Sequence, residues 1–331
     1  MSPFHLLVVI VVISLAFDFT NGWHDAASSI ATVVSTRVLR PFWAVVWAAV
    51  WNLIAPLTFG TAVAATVGRG LVHLNMVNEY VLLAGLLGAI IWNYATIRLG
   101  IPCSSSHALM GGYGGAAIAA VGFKAIIVSG WVMPVIFIFV APVAGLVVGV
   151  LATTATSWIV RRQAPYKVDS LFRRLQLVSA SAFSFSHGTN DAQKSMGIIT
   201  AALVTGGLIP SYKVPDWVIV CCALAMAGGT MAGGWRVVKT MGQRITKLTP
   251  FGGFAAETSA ALTLIGTAAA GIPVSSTHVI TGAISGVGAS RRLTAVRWGV
   301  TRRILWAWVL TIPGAGLMGA AFYFLFFIWV R

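Results

Sequence analysis

Hydrophobic residues in this chain neither alternate nor mark one narrow helical stripe; they form long runs. Segments free of Asp, Glu, Lys and Arg cover residues 42–68, 80–97, 125–160, 217–235, 258–290 and 304–330. About 20 such residues span the apolar core of a bilayer, so the pattern predicts membrane-spanning helices. Crossings are expected near residues 4–36, 42–66, 80–97, 101–122 and 126–157, then 176–208, 216–234, 252–270, 272–289 and 304–329. The expected class is therefore an all-α integral membrane protein with about ten transmembrane segments. Residues 1–17 are apolar like a signal peptide, but no charged stretch precedes them and no small-residue cleavage site follows, so they read as part of the first span.

The pattern repeats. Residues 17–26, FDFTNGWHDA, return as residues 183–192, FSFSHGTNDA, and residues 100–107, GIPCSSSH, return as residues 271–278, GIPVSSTH. Two motifs in the same order with similar spacing indicate an internal duplication. The first transmembrane repeat is assigned to residues 1–160, a basic cytoplasmic linker to 161–175, and the second repeat to 176–331. Five crossings per half is an odd number, which inserts the second half upside down, the inverted-topology arrangement of many secondary transporters. A first crossing of 33 residues would be a helix of about 50 Å in a core of about 30 Å. It is expected to break at its polar motif, near Asn21 and Gly22 in one half and His187 and Gly188 in the other. The segments from 101 and 272 offer re-entrant hairpins as an alternative to full crossings.

Composition agrees with this class. Of the 331 residues 58% are hydrophobic and 9% charged, and the mean hydropathy is +0.89. The net charge of +15 sits in short loops between apolar runs, which argues for cytoplasmic anchoring and against nucleic acid. With the stretch 158–175 inside, the same face collects Arg37, Arg40, Arg98, Arg161, Arg162, Lys167, Arg173, Arg174, Arg236, Lys239, Arg244, Lys247, Arg291, Arg292, Arg297, Arg302 and Arg303. The opposite face holds Arg69, Lys124, Lys213 and Arg331, and Lys194 is left within the membrane. The three cysteines, Cys103, Cys221 and Cys222, lie in apolar segments and form no metal-binding or disulfide pattern.

The motifs carry the candidate chemistry. In GIPCSSSH and GIPVSSTH a Gly and a Pro interrupt an apolar run just before hydroxyl residues, the composition of a helix start. A helix N-terminus at membrane depth is an anion site without a formal charge, and two such starts from opposite halves would clamp a tetrahedral oxyanion. Ser104, Ser105, Ser106, Ser275, Ser276 and Thr277 are the expected donors; close helix packing by small residues is the competing reading. Asp25 and Asp191 occupy equivalent positions inside the membrane, where a carboxylate marks an ion or proton path more often than a structural pair. An anion carrier with two carboxylates at its site needs cations or protons between the like charges, and that requirement couples the two ligands. Asn21 and Asn190 would add neutral oxygens, Glu257 is a further proton carrier, and Lys194, three residues after Asp191, either pairs with it or meets the substrate. No metal site and no resident cofactor is expected. A hydrolase built on the Ser-His pairs is disfavoured because adjacent residues point to different helix faces. A channel is disfavoured because no continuous polar face is present.

These residues resemble the inorganic phosphate transporter family, in particular its bacterial low-affinity branch (Pit). The similarity lies in FDFTNGWHDAASSIATVV at 17–34, SFSHGTNDAQKSMGI at 184–198, GGWRVVKTMGQRITKLTP at 233–250, AAETSAA at 255–261 and the paired Ser-rich motifs. The resemblance implies a multi-pass protein of the inner (plasma) membrane, not an enzyme. It would import inorganic phosphate, free or as a neutral metal-phosphate complex, by symport with a cation. It places the family's Asn-Asp signature on Asn190 and Asp191, whereas His24 stands beside Asp25 and Ser28 stands where related bacterial sequences have Asn. A fixed charge at Lys194 favours protons over sodium as the coupling ion. The alternatives are a sodium-coupled phosphate symporter and a carrier of another oxyanion such as sulfate. A homo-oligomer is compatible with this reading.

Overall fold

The computed structural model describes residues 3–330, so Arg331 lies outside the described residues. The described residues form twelve α-helices, in an order that repeats. A long helix, α1 (Pro3–Ser35), leads to a broken pair, α2 (Pro41–Thr58) and α3 (Ala62–Arg69). A hairpin of α4 (Glu79–Leu99) and α5 (Ser105–Val121) follows, then a long α6 (Val128–Val160). The second half gives α7 (Pro165–Thr205), the broken pair α8 (Asp216–Ala232) and α9 (Trp235–Lys239), the hairpin α10 (Pro250–Ala269) and α11 (Ser276–Arg291), and α12 (Trp298–Val330). A π-helical turn, Thr240–Arg244, extends α9.

Two expectations are corrected. The first helix of each half does not break at its polar motif: α1 and α7 are continuous through Asn21-Gly22 and His187-Gly188. Neither helix contains an internal Pro, and their glycines serve close crossing. A Cβ on Gly22 would lie 2.2 Å from the carbonyl oxygen of Met226 on α8, and one on Gly188 would lie 2.9 Å from Cα of Asn52 on α2. The breaks fall one crossing later, at residues 59–61 between α2 and α3, and at Gly233-Gly234, where φ of Gly233 is +62° and the pair bends by 62°. The basic stretch 161–175 is also mostly helix. Pro165 starts α7 in a position that needs no amide donor, and Arg173 pairs with Asp169 at 2.8 Å one turn apart.

Each hairpin tip is built the same way. Gly100 and Gly271 end α4 and α10 in the left-handed region, with φ of +66° and +67°, and a Pro-containing turn leads into α5 and α11. Each tip is fastened to the broken pair of the other half. Thr240 Oγ1 donates to the carbonyl of Gly100 at 2.9 Å, and Thr66 Oγ1 donates to that of Gly271 at 2.9 Å.

The halves are not separate packing units. The first hairpin lies along α12 and the second along α6, where small residues bring backbones together. A Cβ on Gly115 would sit 2.1 Å from the carbonyl oxygen of Gly316, and one on Gly282 would sit 2.1 Å from that of Pro142. Both apolar cores mix the halves: Phe17, Leu86, Met196 and Met226 share one, and Ile30, Val45, Val238 and Ile280 share the other.

Such crossings leave no room for a methyl group. Gly22→Ala and Gly188→Ala are expected to destabilise the folded protein by about 1–3 kcal/mol through overpacking. Gly266→Ala, on α10 with no atom near its added carbon, should be neutral or stabilising by up to about 1 kcal/mol. Thermal unfolding of the purified variants in one detergent reads the difference.

Candidate functional site

Residues on α1 and α7 form matching polar stripes. Asn21, His24, Asp25 and Ser28 follow the spacing of one helical face, as do His187, Asn190, Asp191 and Lys194 at an offset of 166. All eight are buried. Facing them are the starts of α5 and α11, which meet side by side: the rings of His107 and His278 are 4.9 Å apart between centroids.

The cap residues hold these helix starts in shape. Ser104 Oγ accepts from the amide of His107 at 3.2 Å, and Ser275 Oγ accepts from that of His278 at 3.3 Å. The amides of Ser105 and Ser106, and of Ser276 and Thr277, come before the first intrahelical hydrogen bonds. The result is a set of backbone donors and hydroxyls at the positive ends of two helix dipoles.

Side chains from four helices interlock there. Ser105 Oγ lies 2.6 Å from Asp25 Oδ2 and 2.5 Å from Asn21 Oδ1. Thr277 Oγ1 donates to Asp25 Oδ1 at 3.3 Å and lies 3.1 Å from Ser28 Oγ. His24 Nδ1 is 2.6 Å from Asp25 Oδ1, and its Nε2 is 3.4 Å from Cys103 Sγ. Lys194 Nζ pairs with Asp191 Oδ1 at 2.6 Å and donates to Ser106 Oγ. His187 Nδ1 lies 3.7 Å from Asp191 Oδ2.

The sequence-derived candidates therefore separate by location. Asn21, Asp25, Asp191, Lys194, Ser105, Ser106 and Thr277 share one network, with Ser104 and Ser275 shaping its helix starts. Asn190 and Ser276 are buried on the same elements with no hydrogen-bond partner on their side-chain polar atoms. Glu257 stands apart on α10. It accepts from Ser179 Oγ at 2.5 Å and Gln176 Nε2 at 3.1 Å, and Gln176 Oε1 accepts from Thr36 Oγ1 at 2.9 Å. Residue-type reasoning passed over His24, Ser28, Cys103 and His187. The helical spacing from Asn21 to Ser28, and its match from His187 to Lys194, was the signal for three of them; Cys103 carried none.

Counted with neutral histidines, the centre carries two carboxylates and one ammonium, so it is net negative although its backbone donors suit an anion.

The whole chain has known counterparts. A family profile described as "Phosphate transporter family" matches residues 21–168 and again 160–319. A "Probable low-affinity inorganic phosphate transporter" of Rhizobium meliloti (strain 1021) is 53% identical, covering 97% of this chain and 96% of that protein. One of the same description from Bacillus subtilis (strain 168) is 44% identical over 97% of both. The solved structure of "The sodium-dependent phosphate transporter" superposes with a TM-score of 0.90 over 98% of this chain and 99% of its own, at 24% identity, and shares the fold.

Removing one partner of a buried ion pair strands the other charge, at about 3–5 kcal/mol. Lys194→Met should therefore lower the thermal unfolding midpoint markedly, and Asp191→Asn in the same chain should restore much of it. Additive losses in the double-mutant cycle would show that the pair does not act as a unit.

Proposed function

The chain belongs to the phosphate transporter family and is a multi-pass membrane phosphate transporter, not an enzyme; from that premise we propose that it imports phosphate by symport, with protons as the coupling ion. The observation that carries the proposal is the convergence of two hydroxyl-lined helix starts on Asp25 and the Asp191-Lys194 pair. The amides and hydroxyls of Ser105, Ser106, Ser276 and Thr277 bind the phosphate oxygens, and the carboxylates admit the anion only when their charge is offset.

Protons suit this centre better than sodium. Lys194 already supplies a fixed positive charge at Asp191, and His24 places a proton-exchanging ring nitrogen on Asp25. Sodium asks instead for a cage of oxygens; Asn190 and Asp191 Oδ2, which lack hydrogen-bond partners, favour it as the second reading. Glu257, buried between α1, α7 and α10, is a relay toward the basic face. Phosphate is selected over sulfate because a protonated phosphate oxygen donates a hydrogen bond to a carboxylate and sulfate near neutral pH does not. A neutral metal-phosphate complex would enter this net-negative centre with less repulsion than the bare anion. The two repeats are read as inverted, so that movement of one mixed core against the other exposes the centre to each side in turn.

Uptake of radiolabelled phosphate into proteoliposomes tests the reading under an imposed proton gradient, a sodium gradient, or neither, with and without Mg²⁺ and excess sulfate. The expected result is accumulation driven by protons, unchanged by sulfate, raised by Mg²⁺, and abolished in Asp25→Asn and Asp191→Asn variants that still insert. Accumulation driven only by sodium would replace the coupling ion. Normal uptake by either variant would remove the coupling scheme.

A further inference from the structure

We propose that the basic ends of α6 and α11 form a binding site for one anionic phospholipid, with its headgroup phosphate between Arg161 and Arg291 and an acyl chain along α6. The inference is independent of what the carboxylate centre transports.

The headgroup pocket is a cavity of about 370 Å³ lined by Arg161, Arg291, Thr154, Ser157, Trp158 and Ser290, among others, and no carboxylate lines it. Two guanidiniums with hydroxyls between them are the donor set that phosphate oxygens match. Both arginines are positioned by groups other than acids. The Arg161 guanidinium lies 3.7 Å above the Trp158 ring, and Arg291 Nη2 donates to Thr249 Oγ1 at 2.8 Å. Among the described residues neither enters an ion pair; the acid of the neighbouring segment, Asp169, is taken by Arg173. Their charge is therefore uncompensated within the chain. The pocket also lies on the face that the charge bias assigns to the cytoplasm, where anionic lipids concentrate basic segments.

A second observation selects a lipid over a free anion. Val140, Val143, Val147, Thr154, Trp158 and Arg161 fall on one stripe of α6 at spacings of three, four and seven residues. The three valines line an apolar groove of about 530 Å³ on the outer surface. Val147 and Val143 are seven and eleven residues before Thr154, about 10 and 16 Å along the helix axis, comparable to half of the roughly 30 Å apolar core. Trp158, 64% exposed, stands where the polar and apolar parts meet, as interfacial tryptophans do. Charge and apolar surface thus succeed each other along one helix in the order of a phospholipid's headgroup and tail.

The test is native mass spectrometry of the purified full chain titrated with dioctanoyl phosphatidylglycerol, dioctanoyl phosphatidylcholine, glycerophosphoglycerol or inorganic phosphate. One phosphatidylglycerol should bind at least tenfold more tightly than phosphatidylcholine. Arg161→Gln with Arg291→Gln should reduce that preference to below twofold, and Arg161→Lys with Arg291→Lys should retain most of it. Val143→Trp, which fills the groove and leaves the arginines in place, should weaken phosphatidylglycerol several-fold. Equal binding of the two lipids, or a preference that survives the double Gln variant, would overturn the proposal. So would binding of glycerophosphoglycerol or phosphate that is as tight as that of the lipid and is lost in the double Gln variant, because the site would then read a free anion. Phosphate that binds but is insensitive to the double Gln variant belongs to the transport centre, which keeps the two readings separable.

Discussion

A carboxylate at membrane depth must be matched by donors or by positive charge, and Asp25 and Asp191 meet that demand with side chains from four helices. Ser105 and Thr277 come from the hairpins, His24 from the same helix as Asp25, and Lys194 from the helix of Asp191. The Ser105 and Thr277 contacts exist only because α5 and α11 start at the level of Asp25. The hairpin tips, the left-handed glycines that end α4 and α10, and the threonines that hold the tips are consequences of that one requirement.

Meeting it demands close approach, and the glycines supply it. With apolar lipid outside the bundle, burial of apolar surface cannot by itself hold helices together, so packing and backbone proximity take over. Gly22, Gly188, Gly115 and Gly282 each face a backbone atom of another helix where a methyl group would not fit. Because each hairpin packs on the last helix of the other half, the two halves share both cores.

The duplication is not carried through to chemistry. Lys194 corresponds to Ser28, so one carboxylate has an ammonium and the other has hydroxyls and a histidine. The polar cluster of Glu257, Gln176 and Thr36 corresponds, at the same offsets, to Leu86, Ile10 and Ala202. The surroundings of Glu257 are therefore polar where the equivalent positions of the other repeat are apolar.

The amino-acid sequence by itself determined the membrane class, the duplication and which polar residues lie within apolar runs. Hydrophobic runs, repeated motifs and buried ionisable groups are local properties that survive without coordinates. Asn21, Asp25, Asp191 and the hydroxyls after each Gly-Ile-Pro were legible for that reason. Only the tertiary structure decided where helices break and which residues meet. Helix length alone placed the breaks at the polar motifs, but the glycines there accommodate neighbouring helices and the bends moved to residues 59–61 and Gly233. The approach of Ser105 to Asp25 or Thr66 to Gly271 spans 80 and 205 positions in the chain. Such pairings depend on how helices cross, and no periodicity within a single helix records that.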